Sequence, residues 1–288
     1  MIKNRFVSFT VIIAVYVLAF FGGLFCYNYL SSLGKFSYLI SLLIADVAAT
    51  VIVFIFSLIF GNASVYDPYW SVQPPVILAV ALFKCGGTRL GYCLFAAVLF
   101  WAIRLTANWA YNFKSFEYQD WRYVMLKEKS KKLYPLINFL GIHLFPTIVV
   151  FLCILPAVSA IHDQIPFNPF ALIFIALSFM AAIFQGIADI QMHKFRKLGT
   201  GGFIRTGLWK KSRHPNYACE ILMWWGIGLA SIFGMPERWW LLAGALVNTL
   251  MFLFVSIPMA ENDNPKNRDL PNTKKRPECC RGLLSKIV

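Results

Sequence analysis

Charged residues are scarce in this chain: Asp, Glu, Lys and Arg make up 14% of its 288 residues, against 59% hydrophobic. A water-soluble domain of that balance would expose too much apolar surface, which excludes the ordinary soluble enzyme classes. Acid is the scarcer sign, with 13 Asp and Glu against 27 Lys and Arg. The seven cysteines, Cys26, Cys85, Cys93, Cys153, Cys219, Cys279 and Cys280, lie mostly in apolar runs. They form no CxxC pair and share no ligand spacing with histidine, so neither disulfides nor a metal site is implied. A Rossmann GxGxxG after a strand is missing, as is a P-loop Gly-Lys-Ser/Thr, and Gly199, Gly201 and Gly202 are read as a turn. No internal repeat and no Pro/Gly/Ser linker is visible, which leaves one domain over residues 1–288. No small-residue cleavage site follows the first apolar run before Tyr27-Asn28-Tyr29, so that run is expected to be retained.

What is present is a succession of long apolar runs. A run of about 18 or more residues with few charges is a candidate membrane helix. Seven qualify: Phe6 to Tyr29, Phe36 to Phe60, Leu90 to Trp109, Leu136 to Ala160, Phe170 to Gln191, Tyr217 to Phe233 and Trp239 to Met259. An eighth, Val72 to Cys85, is shorter and opens with Pro74 and Pro75; it reads as either a span or a re-entrant segment. The expected fold is all-α, a multi-pass transmembrane bundle of seven helices, or eight if that stretch spans.

Lys and Arg concentrate in three segments, Tyr111 to Pro135, His193 to Asn216 and Asn262 to Val288. Two long runs separate each from the next, so all three fall on one face, and the positive-inside rule makes that face cytosolic. The net charge of +14 is then a property of one face and of its attraction to anionic lipid. Asn4, Lys129, Lys210 and Lys275 are expected in the cytosol, and Lys35 and His162 opposite. The part after Ala260 reads as a basic cytosolic tail, and the expectation for Cys279 and Cys280 in it is two idle thiols rather than palmitoylation sites. No nucleic-acid module accompanies the charge, and no obligate protein partner is implied. The membrane is the endoplasmic reticulum in a eukaryote or the inner membrane in a bacterium.

Ionisable side chains inside membrane segments are expensive and mark functional sites. The clearest are Asp46, Arg104, Asp189 and Glu220. Gln185, Asp189 and His193 recur every fourth residue, with Arg196 three further on, so they share one helical face. Pro215 suits the first turn of the next helix, and Asn216 and Glu220 again stand four apart. Between these stripes, residues 193–216 hold seven Lys or Arg and no acid. That pattern suits a ligand with several phosphates, held by arginine and by the N–H groups at a helix start. Asp189 and Glu220 would accept from an amide or from ribose hydroxyls. Read from charge alone, the loop is equally an ordinary positive-inside loop with two carboxylates in salt bridges.

Gly207-Leu-Trp-Lys-Lys-Ser-Arg-His-Pro-Asn-Tyr-Ala-Cys-Glu220, preceded by Ala188-Asp-Ile-Gln-Met-His-Lys-Phe-Arg196, resembles the steroid 5α-reductase-like superfamily. Asp67-Pro-Tyr-Trp-Ser71 and Trp101-Ala-Ile-Arg-Leu105 look like its uncharacterised multi-pass branch, so the resemblance runs from about residue 67 to residue 259. It implies an all-helical membrane enzyme that binds NADPH and reduces a carbon–carbon double bond conjugated to a carbonyl in a lipid substrate of sterol, polyprenyl or enoyl type. Carried over by position, it implies cofactor contacts from Gln185, Asp189, Arg196, Arg205, Arg213, His214, Asn216, Tyr217 and Glu220. Gln73 and Trp101 stand where the steroid enzymes polarise their substrate, and neither is an acid, so Asp67, Tyr69 or Tyr111 would have to donate the proton. The tail departs as well, with Glu261-Asn-Asp-Asn in place of a Glu-Arg pair. Two other classes remain open: an S-adenosylmethionine-dependent methyltransferase of the isoprenylcysteine or phospholipid type, which shares an Arg-His-Pro-x-Tyr element, and a non-catalytic lipid-binding protein.

Overall fold

A computed structural model describes residues 2–199 and 204–262. The described residues are helical, with no strand among them. In chain order the α-helices are α1 (Arg5–Leu33), α2 (Tyr38–Phe60), α3 (Tyr69–Cys85), α4 (Arg89–Asn112), α5 (Trp121–Ser130), α6 (Tyr134–Ile137), α7 (Phe145–His162), α8 (Ala171–Lys197), α9 (Pro215–Ile232), α10 (Ala243–Met251) and α11 (Ile257–Asn262). A π-helical turn, Asn138–Leu144, runs α6 into α7, and a second, Phe252–Ser256, runs α10 into α11. The ends follow local chemistry: Asn4 and Ser37 cap α1 and α2 by accepting from Val7 and Ile40, and Gly34 and Gly61 close them with φ of 61° and 62°.

Six helical segments are long and apolar enough to cross a membrane: Arg5–Leu33, Tyr38–Phe60, Arg89–Asn112, Trp121–His162, Ala171–Lys197 and Pro236–Glu261. These contain six of the seven apolar runs. The seventh, Tyr217 to Phe233, folds as α9, but α9 is only 18 residues long and carries Asn216 and Glu220 in its first two turns. Its polar start keeps it out of the six, so seven is not reached. The Pro74–Pro75 stretch lies inside α3, a helix of 17 residues.

The chain forms two compact units, interleaved in sequence with no linker between them: Met1–Ile77 with Leu105–Phe151, and Leu78–Arg104 with Leu152–Val288. In the first, α1 lies against α2, and Gly23 permits the approach, since a Cβ there would stand 3.2 Å from the Ala45 carbonyl oxygen. Its core joins Ile12, Val15, Ala49, Val53, Tyr66, Phe113 and Phe116. In the second unit α8 and α9 run together, and Ser178 donates to the Met223 carbonyl at 3.0 Å across the seam. The sequence segments Gly201 to Gly202 and Asp263 to Val288, with Lys275, Cys279 and Cys280, lie outside the described residues.

Candidate functional site

The polar residues of the second unit converge on one carboxylate. Glu220, 2% exposed on α9, accepts from the Trp101 indole N–H at 2.9 Å and the Gln185 amide at 2.7 Å on Oε2, and from the Trp224 indole at 3.0 Å on Oε1. Three helices supply these groups at helical spacing. Trp101 and Arg104 are three apart on α4, Gln185 and Asp189 four apart on α8, and Glu220 and Trp224 four apart on α9. Arg104 bridges the acids: its Nη1 donates to Asp189 at 2.7 Å, and its Nη2 lies 3.9 Å from Glu220. One guanidinium therefore faces two carboxylates, and His193 reaches Asp189 from the next turn of α8 as a further charge partner.

This network is incomplete. Buried Nε and Nη2 of Arg104 donate to nothing among the described residues, while Gln185 Oε1 and Asn216 Oδ1 accept from nothing. A buried polar atom left without a partner costs about 1–3 kcal/mol, so such atoms mark the place of a missing partner. The open Arg104 donors and the open Gln185 carbonyl, whose side chains meet at Glu220 Oε2, complement a primary carboxamide, which brings a carbonyl acceptor and N–H donors.

The basic segment folds back onto α8. Leu208 N–H donates to Gln191 at 3.0 Å, and the Trp209 indole donates to the Ala188 carbonyl at 3.0 Å. Gly207 takes φ of 60°, and any Cβ there would collide with the Gln191 amide, so glycine serves both the turn and the contact. Arg196, in the last turn of α8, and Arg205 are both exposed. Gly199 takes φ of 63° just beyond α8, as a turn requires. In the Arg-His-Pro-x-Tyr element, Arg213 and His214 point to Glu261, at 3.6 and 3.8 Å. The His214 ring stacks on Tyr217 at 5.3 Å, and Phe252 of the second π-helical turn covers Tyr217 from the other element.

The nine residues expected at a cofactor thus lie in the second unit. Glu220 is the anchor of the cluster, saturated by its own chain. Trp101, which is not one of the nine, donates its indole N–H to Glu220 and so orients that carboxylate. The importance of Arg104 was signalled by its place inside an apolar run; Glu261 carried no such signal, because it follows the last run.

The three expected proton donors lie in the first unit and have different surroundings. Asp67 accepts from the Tyr123 hydroxyl at 2.6 Å, and burial pushes its carboxyl up from 3.8 to about 6 against that hydrogen bond. Tyr69 opens α3 and is 5% exposed. Tyr111, on the last turn of α4, is 58% exposed. The structure does not gather them into one cluster with a common target.

Residues 53–274 match the family model described as a protein of unknown function, DUF1295. The chain belongs to the DUF1295 family. Every residue of the Glu220 cluster, from Trp101 to Glu261, falls inside the matched region of this DUF1295 protein. An uncharacterised protein of Schizosaccharomyces pombe is 27% identical over 195 residues, which is 57% of this chain and 56% of the relative. The chain thus spans a little over half the length of that relative. No solved structure matches.

Proposed function

We propose that this DUF1295 protein is a membrane-embedded, NADPH-dependent reductase of a carbon–carbon double bond conjugated to a carbonyl in a lipid substrate. The observation that carries the reading is the pairing of open donors on Arg104 with the open acceptor of Gln185, inside a buried cluster adjoined by a basic segment. NADPH, when bound, supplies a hydride from a ring that bears a primary carboxamide. Arg104 would donate to the carboxamide oxygen and Gln185 would accept from its N–H. Arg196 and Arg205 would take the phosphates, aided by the N–H groups at the start of α9. Trp101 and Trp224 hold Glu220 still, and Glu220 holds Gln185 in place, so the amide carbonyl stays aimed. The likeness of residues 188–220 to the steroid 5α-reductase-like superfamily supports the same reading. The reaction adds hydride at the β-carbon and a proton at the α-carbon, and Asp67, Tyr69 and Tyr111 remain the proposed proton sources. The reading needs α9 to cross as a seventh span, so that the basic segments share the cytosolic face. The membrane would be the endoplasmic reticulum in a eukaryote or the inner membrane in a bacterium.

A second reading has its own observation. Two carboxylates against one guanidinium leave a surplus negative charge, which suits the ammonium of S-adenosylmethionine, whose carboxylate would take the Arg104 donors. Thermal melting of the purified chain in nanodiscs, with NADPH and with S-adenosylmethionine, separates the two. Stabilisation by NADPH, lost in Arg104→Lys, is the expected result; stabilisation by S-adenosylmethionine alone installs the methyltransferase reading, and stabilisation by neither ends both.

A further inference from the structure

The first unit holds a buried polar seam that takes in Tyr69, Gln73 and Asp46 and none of the residues of the Glu220 cluster. Asp46 and Thr50 lie four apart on α2, and Ser57 follows seven later on the same face. The span from Asp46 to Ser57 is about 16 Å of helix. All three are buried, as are the groups that meet them: Gln73 on α3, Tyr66 before it, and Asn138, His143 and Thr147 around the first π-helical turn.

The Thr50 hydroxyl donates to the Asp46 main-chain carbonyl at 2.9 Å, so its one proton is spent. Thr147, 3.1 Å away, must then donate to Thr50, and Tyr66, at 2.8 Å, must donate to Thr147. His143 Nδ1 lies 3.0 Å from the Asn138 carbonyl, which only accepts; Nδ1 therefore carries the proton of the neutral ring, and Nε2 is a bare acceptor. The Gln73 amide nitrogen donates to Asp46, and the Asn138 amide nitrogen donates to Ser57.

Among the side chains of this seam, the buried atoms left with no hydrogen bond at all are of one kind. Gln73 Oε1, His143 Nε2 and Asn138 Oδ1 are buried acceptors without a partner among the described residues, and Gln73 and His143 are 5% and 0% exposed. Pro74 and Pro75, next to Gln73, lack an N–H, which removes two more donors from this stretch. The second unit differs, since its open atoms include the Arg104 donors. Unpartnered acceptors call for a ligand that brings a donor, and the surrounding helices are apolar.

We propose that this seam binds the hydroxyl group of an apolar alcohol, its single O–H donating to Gln73 Oε1 or to His143 Nε2. This proposal does not rest on the reductase reading, and NADPH plays no part in its test. The full chain in phosphatidylcholine nanodiscs is irradiated with a diazirine-bearing hexadecanol or with the methyl ether of the same probe, and labelled peptides are mapped by mass spectrometry. The ether keeps the apolar body and the oxygen but loses the donor. At least about tenfold greater labelling of α2, α3 and the Asn138–Leu144 turn by the alcohol is expected, falling to the level of the ether in whichever of Gln73→Met and His143→Phe removes the receiving acceptor. Equal labelling of the wild type by alcohol and ether overturns the proposal, because the acceptors then serve water or the scaffold alone, and that comparison needs no variant to fold. Alcohol labelling that survives in both variants overturns it equally.

Discussion

Arg196 and Arg205 are exposed and tied to no carboxylate in the salt bridges of the described residues, so removing either should leave the fold alone and act on binding. If they hold phosphates, Arg196→Ala or Arg205→Ala loses a charge-assisted bond of about 1.5–3 kcal/mol, roughly a ten- to hundredfold weaker Kd for NADPH by calorimetry. Glu220 behaves differently. From sequence, Glu220→Gln is a shape-conserving change at a ligand contact; in the structure it turns an NH2 group toward indole or amide donors that already fill the site. Melting of Glu220→Gln without cofactor should therefore drop, by about 1–3 kcal/mol of stability, and unchanged melting would show that the three bonds are not made. Asp67 gives a pH test. Its folded carboxyl titrates at about 6 against 3.8 when unperturbed, so the folded chain holds that proton more tightly than the unfolded one. The stabilisation is fully present below about pH 4 and is lost as pH rises through 6. Asp67→Asn keeps an acceptor for Tyr123 and cannot ionise, so its stability relative to wild type should rise between pH 4 and pH 7; parallel melting curves across that window would refute the assignment.

Among elements, the α8 and α9 pair carries most of the site, and its geometry depends on a glycine. A Cβ at Gly226 would stand 2.2 Å from the Ser178 hydroxyl and 2.7 Å from the Phe174 carbonyl oxygen, a main-chain atom that cannot swing aside. Gly226→Ala should push the helices apart and cost about 1–3 kcal/mol. Gly141→Ala, where a Cβ meets nothing within 4 Å, is the matched control and should be neutral or better in the same denaturation series. The pair also shows what could be read from the chain alone. Spacing of Gln185, Asp189 and Glu220 was visible as helical periodicity because helix geometry turns sequence distance into a face. Convergence of α4 on that face was not, because nothing in Trp101 or Arg104 names the partner helix, and a tryptophan in an apolar run looks like lipid contact until its N–H is seen on a carboxylate. The seam on α2 was hidden for the same reason: Asp46 stood out as an intramembrane acid, but Gln73 and His143 acquire meaning only through contacts with residues far along the chain. Apolar runs, by contrast, predicted helices well, since length and hydropathy are local quantities.

At the scale of the whole molecule the question is which helices cross. Its charge of +14 is concentrated in three segments, and the positive-inside rule assigns them one face only if an even number of spans separates each from the next. Between residues 111–135 and 193–216 lie two qualifying segments, Trp121–His162 and Ala171–Lys197, so this parity holds. Between residue 210 and the C-terminal residues lie α9 and Pro236–Glu261, of which only the second qualifies on length and apolarity. If α9 does not cross, the tail emerges opposite the basic segment. What argues for crossing is where α9 places its polar groups: Asn216 and Glu220 sit at its first turns, Glu220 is buried within the unit, and the eleven residues from Leu222 to Ile232 carry no charge. A polar start satisfied by protein, with an apolar remainder, lets a short helix span where composition alone would reject it. Single cysteines introduced by Lys129→Cys, Lys210→Cys, Lys275→Cys and Lys35→Cys, on a background with the native cysteines replaced, test this with a membrane-impermeant maleimide in sealed vesicles. The first three should share one pattern of accessibility, and Lys35→Cys the opposite one only where α3 crosses along with α2 and α4, because two spans between residues 35 and 129 would put both on one face and three put them on opposite faces. Lys210→Cys and Lys275→Cys on opposite faces would leave six spans, put the tail across the membrane from Arg196 and Arg205, and end the reading in which all three basic segments face one pool of soluble cofactor.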